Sequence, residues 1–230
     1  MSRSVSAEVQ MHEQKFDLYY ENVQMISASV RYPEVALAGN EAAQDRINRR
    51  IRAQIDEFSR YVSGELYRQA VQEYLGSEEY DFPFRMFGAE LDYTVTYNGN
   101  CHLSVYRDQY QFTGGAHGTT ERSSDTWSLE TGRRLPLSKF FPPAENYRAT
   151  VLAEIIRQAD RNMQQNPGIY FDDYRKLIRQ YFNPEHFYLT PDGIAIYFQQ
   201  YEVAPYVSGI IVFTVPYGVE PSCRQHPARR

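Results

Sequence analysis

The chain has 230 residues, of which 42% are hydrophobic and 23% charged, and its formal net charge is −5 at pH 7. This length suits one large domain or two small ones, with a core that needs no added cross-links. The negative charge argues against nucleic acid as a partner, because phosphate binding requires a basic surface.

No segment approaches the roughly 18 apolar residues of a membrane span, and the first residues lack the apolar core of a signal peptide. The sequence as it stands therefore predicts a soluble, cytoplasmic protein. An extracytoplasmic location is expected instead if the chain is a trimmed form of a longer one.

The cysteine and histidine spacings give no metal-site signal. Cys101 and Cys223 are far apart and form no CxxC pair, which argues against a metal cluster or a disulfide framework. Two free thiols, typical of a reducing compartment, are the expectation, and a single bridge between them is the alternative. No two of the five histidines share ligand spacing, so we predict neither a metal nor a cofactor.

The first half of the chain combines extended segments with one long helix. Residues 16–37 are rich in Val, Ile and Tyr, and Pro33 disfavours a helix there. A helix is predicted over 41–75, with Asn40 as N-cap and Gly76 as stop, because one apolar stripe recurs at helical spacing: Ile47, Ile51, Ile55, Phe58, Val62 and Leu66. A hairpin follows, and Asn98-Gly99 is its predicted turn.

The second half repeats this alternation of strands and helices. A strand ends in a tight turn at Thr131-Gly132, and helices are predicted over 144–165 and 171–182. The segment "HFYLTPDGIAIYF" predicts a hairpin around Pro191-Asp192-Gly193, and "GIIVFTVP" predicts a buried strand. Because no short βαβ units recur, a parallel sheet is not expected.

These elements predict an α+β fold, with antiparallel sheets and helices packed on one face. We divide it into two connected sub-domains, residues 12–112 and 113–218, with flexible tails at 1–11 and 219–230.

Two segments carry the candidate site residues. In "QFTGGAHGTTE", residues 111–121, the glycines allow positive φ and close backbone approach, so His117 either contacts a ligand or only completes a turn between strands. In "YFQQYEVAPYVSG", residues 197–209, Glu202 lies between Tyr201 and Tyr206. A carboxylate among rings either has a raised pKa or anchors an Arg or a tyrosine hydroxyl.

The order of several segments resembles one bacterial family. "VRYPEV" is followed by "RIN", "GGAHG" by "WSLETGRRLPLSKFF", and "FYLTPDGIAIYFQQYEVAPYVSGIIVFTVPY" comes last, so the resemblance covers about residues 12–218. Together they resemble the domain of unknown function that ends lysozyme-sensing anti-sigma-factor ectodomains. A similar domain precedes the catalytic domain of some peptidoglycan deacetylases. The resemblance implies a two-part α+β fold and a non-enzymatic, extracytoplasmic role at the cell wall.

The leading hypothesis is thus a non-enzymatic binding module for a lysozyme-like protein or a cell-wall glycan. The predicted ligand-binding residues are His117, Tyr201, Glu202 and Tyr206, and we predict no catalytic residue. Two alternatives stay open. One is a hydrolase that acts on glycan or peptide through Glu202 or His117, and the other is a structural scaffold for another protein.

Overall fold

The computed structural model describes residues 5–80 and 82–223. The strands and helices of these ranges are β1 (Glu8–Tyr20), β2 (Val23–Ala36), α1 (Glu41–Tyr61), α2 (Tyr67–Tyr80), β3 (Phe87–Gly99), β4 (His102–Phe112), β5 (Thr119–Ser128), α3 (Tyr147–Gln165), α4 (Tyr174–Tyr181), β6 (Phe187–Thr190), β7 (Gly193–Phe198) and β8 (Ile211–Val215). A π-helical turn, Val62–Leu66, joins α1 to α2. The mixture of helices and mainly antiparallel strands confirms the α+β class.

The first sheet has the strand order β1-β2-β3-β4-β5. All its neighbours are antiparallel except β2 and β3, which pair in parallel between 26–31 and 87–92. The sheet is therefore mainly antiparallel, as predicted, and this one parallel pair is a feature that the prediction did not include. A parallel pair needs a crossover connection, and here the single long α1–α2 helix supplies it instead of a series of short βαβ units.

The helix α1 packs its apolar stripe on this sheet, where Ile47, Ile51 and Phe58 are buried. Asn40 is the N-cap, as predicted, and its side-chain oxygen accepts a hydrogen bond from the Ala43 N–H. The same side chain donates to the carbonyls that follow β5, of Leu129 and Glu130. The predicted stop at Gly76 was wrong, since the helix continues to Tyr80.

The second sheet has the order β6-β7-β8, with antiparallel pairing throughout. One of its faces shares an apolar core with α3 and α4, and this core includes Val151, Ile155, Ile178, Ile194, Ile196 and Phe213. The other face packs on β4 and β5, where the Ser104 hydroxyl accepts from the Leu189 N–H at 2.9 Å. The layers therefore run helix, sheet, sheet, helix, and each sheet carries helices on one face, as predicted.

Two hairpins turn through left-handed backbone. The β3–β4 turn lies at Asn100 and Cys101, with φ values of 47° and 64°, and not at Asn98-Gly99 as predicted. A turn at Glu21 and Asn22, with φ values of 46° and 68°, divides the predicted extended segment 16–37 into two paired strands.

A disulfide joins Cys101 to Cys223 across 122 residues of sequence. This corrects the expectation of two free thiols, which rested on the distance between the two residues in the sequence. The bridge fastens the end of the described chain to the β3–β4 turn. Residues up to Cys223 in the predicted tail 219–230 are therefore anchored, and the remainder lies outside the described residues.

The N-terminal tail is shorter than predicted, because residues 8–11 belong to β1. Residues 1–4 lie outside the described range. The predicted sub-domain boundary, between residues 112 and 113, falls between β4 and β5, which are paired strands of the first sheet. The proposed division into 12–112 and 113–218 stays a prediction.

The predicted helices 144–165 and 171–182 are both present, and each begins about three residues later than expected. Asn146 caps α3 by accepting from the Ala149 N–H. Asp173 occupies the N-cap position of α4, but its side chain makes no capping hydrogen bond.

Candidate functional site

The structure brings His117, Tyr201 and Tyr206 together on one surface, which we call the aromatic surface. The His117 and Tyr206 rings are stacked, with 3.9 Å between their centroids and 21° between their planes. The Tyr201 ring lies 5.8 Å from that of Tyr206 and is tilted by 33°. Tyr201 is 54% exposed. Three of the four predicted site residues therefore form one continuous set of rings.

The backbone carbonyl of Gly118 fixes two of these rings. The Tyr206 hydroxyl donates to this oxygen at 2.8 Å, and His117 Nδ1 lies 3.1 Å from it. Because a carbonyl only accepts, this contact favours the tautomer with the proton on Nδ1. A side chain could not replace Gly118 without movement, since its Cβ would lie 2.3 Å from the Tyr110 ring. The glycine-rich stretch is thus the loop between β4 and β5, which is tightly packed at Gly118 and exposed at residues 115–117.

Two adjacent glutamines connect the C-terminal segment to the edge of β5. The Gln199 side chain accepts from the Arg122 N–H at 2.9 Å and donates to the Arg122 carbonyl at 2.6 Å. Gln200 accepts from the Thr120 N–H at 2.9 Å. Primary amides here provide the donors and acceptors that a neighbouring strand would provide. Sequence reasoning missed this role, although the dipeptide Gln199-Gln200 directly precedes the predicted site residues.

Glu202 does not join the aromatic surface through its carboxylate. Its Oε2 accepts from the Gln199 N–H at 2.6 Å, and its own N–H donates to the Gln199 carbonyl at 3.2 Å. Burial raises the pKa of Glu202, and the hydrogen bond from the Gln199 N–H partly opposes this. Of the sequence alternatives for this carboxylate, the raised pKa is confirmed. Among the described residues, neither an Arg nor a tyrosine hydroxyl bonds to it.

A buried charged network lies on the face of the first sheet that contacts α1. Asp125, only 2% exposed, accepts from Gln54 Nε2 at 2.7 Å and from Arg107 Nη1 at 3.1 Å, and it pairs with Arg134 Nε at 2.5 Å. The Tyr93 hydroxyl donates to Gln54 Oε1 at 2.8 Å, and burial raises the pKa of Tyr93. Sequence reasoning also missed this network. The available signal was strand alternation, which places Asp125 on the same face as the core residue Trp127.

Within residues 5–80 and 82–223, no group of three His, Cys, Asp or Glu side chains is arranged to hold a metal ion. No helix in these ranges is long and apolar enough to cross a membrane.

Two family models match consecutive regions of this fold. Residues 20–120 match the model described as "Deacetylase PdaC", and residues 138–218 match "Protein of unknown function (DUF3298)". Each match covers less than half of the chain, so the two regions are similar to these families, the PdaC-like region first and the DUF3298-like region second. This confirms the predicted resemblance to a domain of unknown function that is associated with deacetylases. A search of curated proteins found no match.

Solved structures of DUF3298 proteins share the fold over nearly the whole chain. A member from Bacteroides fragilis NCTC 9343 gives a TM-score of 0.69 at 17% identity, covering 93% of this chain and 91% of the other. A family protein from Pseudomonas aeruginosa PAO1 gives 0.59 at 16% identity, covering 92% and 90%. At these identities, the likeness concerns the fold alone.

Proposed function

We propose that this protein is a non-enzymatic binding module that recognises a cell-wall glycan through the aromatic surface. The stack of His117 on Tyr206, beside the exposed ring of Tyr201, is the observation that carries the proposal. Flat rings pack against the C–H face of a sugar, and the polar edge of a Tyr or His ring meets the surrounding hydroxyls.

The preformed geometry of this surface supports binding. His117 and Tyr206 are both held by the Gly118 carbonyl, so their rings need little ordering when a ligand arrives. Affinity gained from such contacts is not reduced by a large loss of side-chain entropy. Tyr201 adds exposed aromatic area next to the fixed pair.

An extracytoplasmic location belongs to this proposal. The Cys101–Cys223 disulfide supports it, because disulfides persist in oxidising compartments and are rare in the cytosol. The match to a model described as a deacetylase of the PdaC type is in keeping with a setting at the cell wall.

The hydrolase alternative depends on Glu202, whose pKa is raised by burial. A glycosidase uses two carboxyl groups about 5–10 Å apart, both directed at the scissile bond. The Glu202 carboxylate instead accepts from the Gln199 N–H within its own turn, which suits a structural role. We therefore favour binding over hydrolysis.

Calorimetric titration tests the proposal with muropeptides, chitooligosaccharides and lysozyme as separate ligands. We expect at least one glycan to bind. Tyr201→Ala should weaken the affinity for that glycan about tenfold or more, because it removes a central aromatic contact. Tyr19→Ala is the matched control, because Tyr19 on β1 is 56% exposed and Tyr201 is 54% exposed. We expect this control to leave the affinity unchanged.

Three results would overturn the proposal. The first is a calorimetric titration that shows no heat of binding with any of the glycans. Heat with lysozyme alone would favour a protein partner, as the scaffold and lysozyme-binding hypotheses expect. Release of shortened glycan chains during incubation, abolished in Glu202→Gln, would favour the hydrolase.

A further inference from the structure

A cleft of about 300 Å³ lies between α1 and the first sheet. It is on the sheet face opposite to the one that packs on the second sheet, so it is separate from the aromatic surface. Its polar lining includes Gln54, Glu57 and Tyr61 from α1, and Arg107, Gln109 and Glu121 from β4 and β5.

The cross-strand pairs of β4 and β5 explain why the cleft is open at this point. Near one end, Leu103 is paired with Trp127, and both are buried. Towards the other end, Arg107 is paired with Ser123, and Gln109 with Glu121. Apolar pairs hold a helix against a sheet, whereas these polar pairs leave open space beneath the C-terminal part of α1. The π-helical turn begins directly after Tyr61, and such turns are frequent at functional sites.

The buried network adjoins this cleft, because two of its members, Gln54 and Arg107, line it. Asp125 is shared by two guanidinium groups, of Arg107 and Arg134, and Arg134 also pairs with Glu185 at 3.0 Å. Arg107 gives one nitrogen, Nη1, to Asp125, and no other described residue accepts a hydrogen bond from it. A buried ion pair is weak evidence for a stabilising role, since apolar residues of similar size often serve as well. A role in presenting Arg107 accounts better for these charges.

The outer end of the cleft is negative. Glu57 and Glu121 are both exposed, and neither forms an ion pair with a residue in the described part of the chain. Tyr61 lies with them in the lining, and its hydroxyl donates to Gln111 Oε1 at 2.8 Å, which fixes the ring. Two carboxylates beside an aromatic ring are suited to an ammonium group.

We propose that this cleft binds a small zwitterion, such as a free α-amino acid, which carries a carboxylate and an ammonium group. The ligand carboxylate pairs with the Arg107 guanidinium, and its ammonium lies near Glu57, Glu121 and the Tyr61 ring. The cavity volume is at the lower end of the range for small-molecule sites, which suits one amino acid and not an extended oligosaccharide.

Thermal-shift and calorimetric measurements with the full chain test this inference, using the common free amino acids as probes. Each responding amino acid is compared with its N-acetyl derivative, which lacks the ammonium, and with its amide, which lacks the carboxylate. We expect at least one free amino acid to raise the melting temperature, and the rise should grow with the logarithm of its concentration above the Kd. Both derivatives should bind about tenfold more weakly or worse, as loss of one charged contact implies.

Variants at the outer end keep the test independent of folding. Glu57→Gln and Glu121→Gln each remove one exposed carboxylate. We expect each to weaken the affinity for the amino acid about threefold to tenfold without lowering the melting temperature of the ligand-free protein. Asp56→Asn is the matched control, because Asp56 is an exposed neighbour on the same helix that does not line the cleft.

The inference is overturned if no free amino acid binds, if the N-acetyl derivative binds as well as the free form, or if Glu57→Gln and Glu121→Gln leave the affinity unchanged. Tyr201→Ala separates this site from the proposed glycan site. It should leave amino-acid binding intact, and Glu57→Gln should leave glycan binding intact.

Discussion

The Tyr206 ring stacks on His117, and its hydroxyl donates to the carbonyl of Gly118, the next residue of the same loop. One side chain from the C-terminal segment therefore contacts both the ring and the backbone of the β4–β5 loop. The two segments that the sequence singled out are halves of one structural unit. Their surface is fixed by internal hydrogen bonds before any ligand is present.

Tyr206→Phe tests how much the hydroxyl contributes to this unit. The substitution keeps the ring stack on His117 and removes the hydrogen bond to the Gly118 carbonyl. We expect the free energy of unfolding in urea to fall by about 1 kcal/mol, the usual net value of such a bond. Tyr201→Phe is the control and should change it by less than about 0.5 kcal/mol. Equal losses in the two variants would contradict the assigned role of the hydroxyl.

Local sequence patterns predicted the elements of this fold better than their connections. The α1 stripe and its cap at Asn40 are local features, so periodicity and residue type were enough to find them. The parallel pairing of β2 with β3 depends on where the chain rejoins the sheet after the long helix. No local sequence pattern determines that position. The Cys101–Cys223 bridge, across 122 residues, was for the same reason only the alternative to two free thiols.

The sequence singled out the residues of the candidate site but did not indicate which contacts they make with one another. Glycine and aromatic residues marked His117 and Tyr206 as unusual, yet nothing local indicated that their rings would stack across 89 positions of sequence. Glu202 looked like a functional carboxylate because its neighbours are aromatic. Its partner proved to be the Gln199 N–H, a backbone group that composition cannot identify.

Removal of the disulfide should destabilise the protein more than any hydrogen-bond deletion in the site. The bridge closes a loop of 122 residues, for which the chain-entropy relation gives about 5 kcal/mol. We expect Cys101→Ser/Cys223→Ser to lower the free energy of unfolding by roughly 2–5 kcal/mol, measured in urea. Reductant should destabilise the wild type and leave the double variant unaffected. If reductant leaves the urea midpoint of wild-type unfolding unchanged, the structural role of the bridge is contradicted.

Gly132→Ala tests the turn that follows β5. Gly132 has a φ of 66°, and an added Cβ would lie 2.6 Å from the Ala43 carbonyl oxygen in the first turn of α1. Gly39→Ala is the matched control, since Gly39 has a φ of 75° but no heavy atom within 4 Å of the added Cβ. In the control, the free energy of unfolding should fall by about 1–2 kcal/mol from left-handed strain alone. In Gly132→Ala it should fall by about 1–3 kcal/mol more, because backbone atoms must move apart. Similar losses in thermal or urea unfolding would show that the contact with α1 is easily relieved.

Glu202→Gln should change how stability depends on pH. Burial raises the pKa of Glu202 in the folded protein above its ordinary value of 4.5, so the folded chain holds this proton more tightly than the unfolded chain. The proton on Glu202 therefore contributes its full stabilisation of the folded wild type at pH values below 4.5. This stabilisation is lost as the pH rises from there through the folded pKa. Gln keeps an oxygen for the Gln199 N–H and does not titrate, so the variant should lack this loss.

Urea unfolding of both proteins at pH 4, 5, 6 and 7 measures the effect. The free energy of unfolding of the variant minus that of the wild type should increase with pH across this series, whatever its value at pH 4. Other titrating groups act equally on both proteins and cancel in the difference. A difference that falls with pH would mean that the bond from the Gln199 N–H stabilises the carboxylate by more than burial destabilises it, and Glu202 would then hold its turn mainly as an anion.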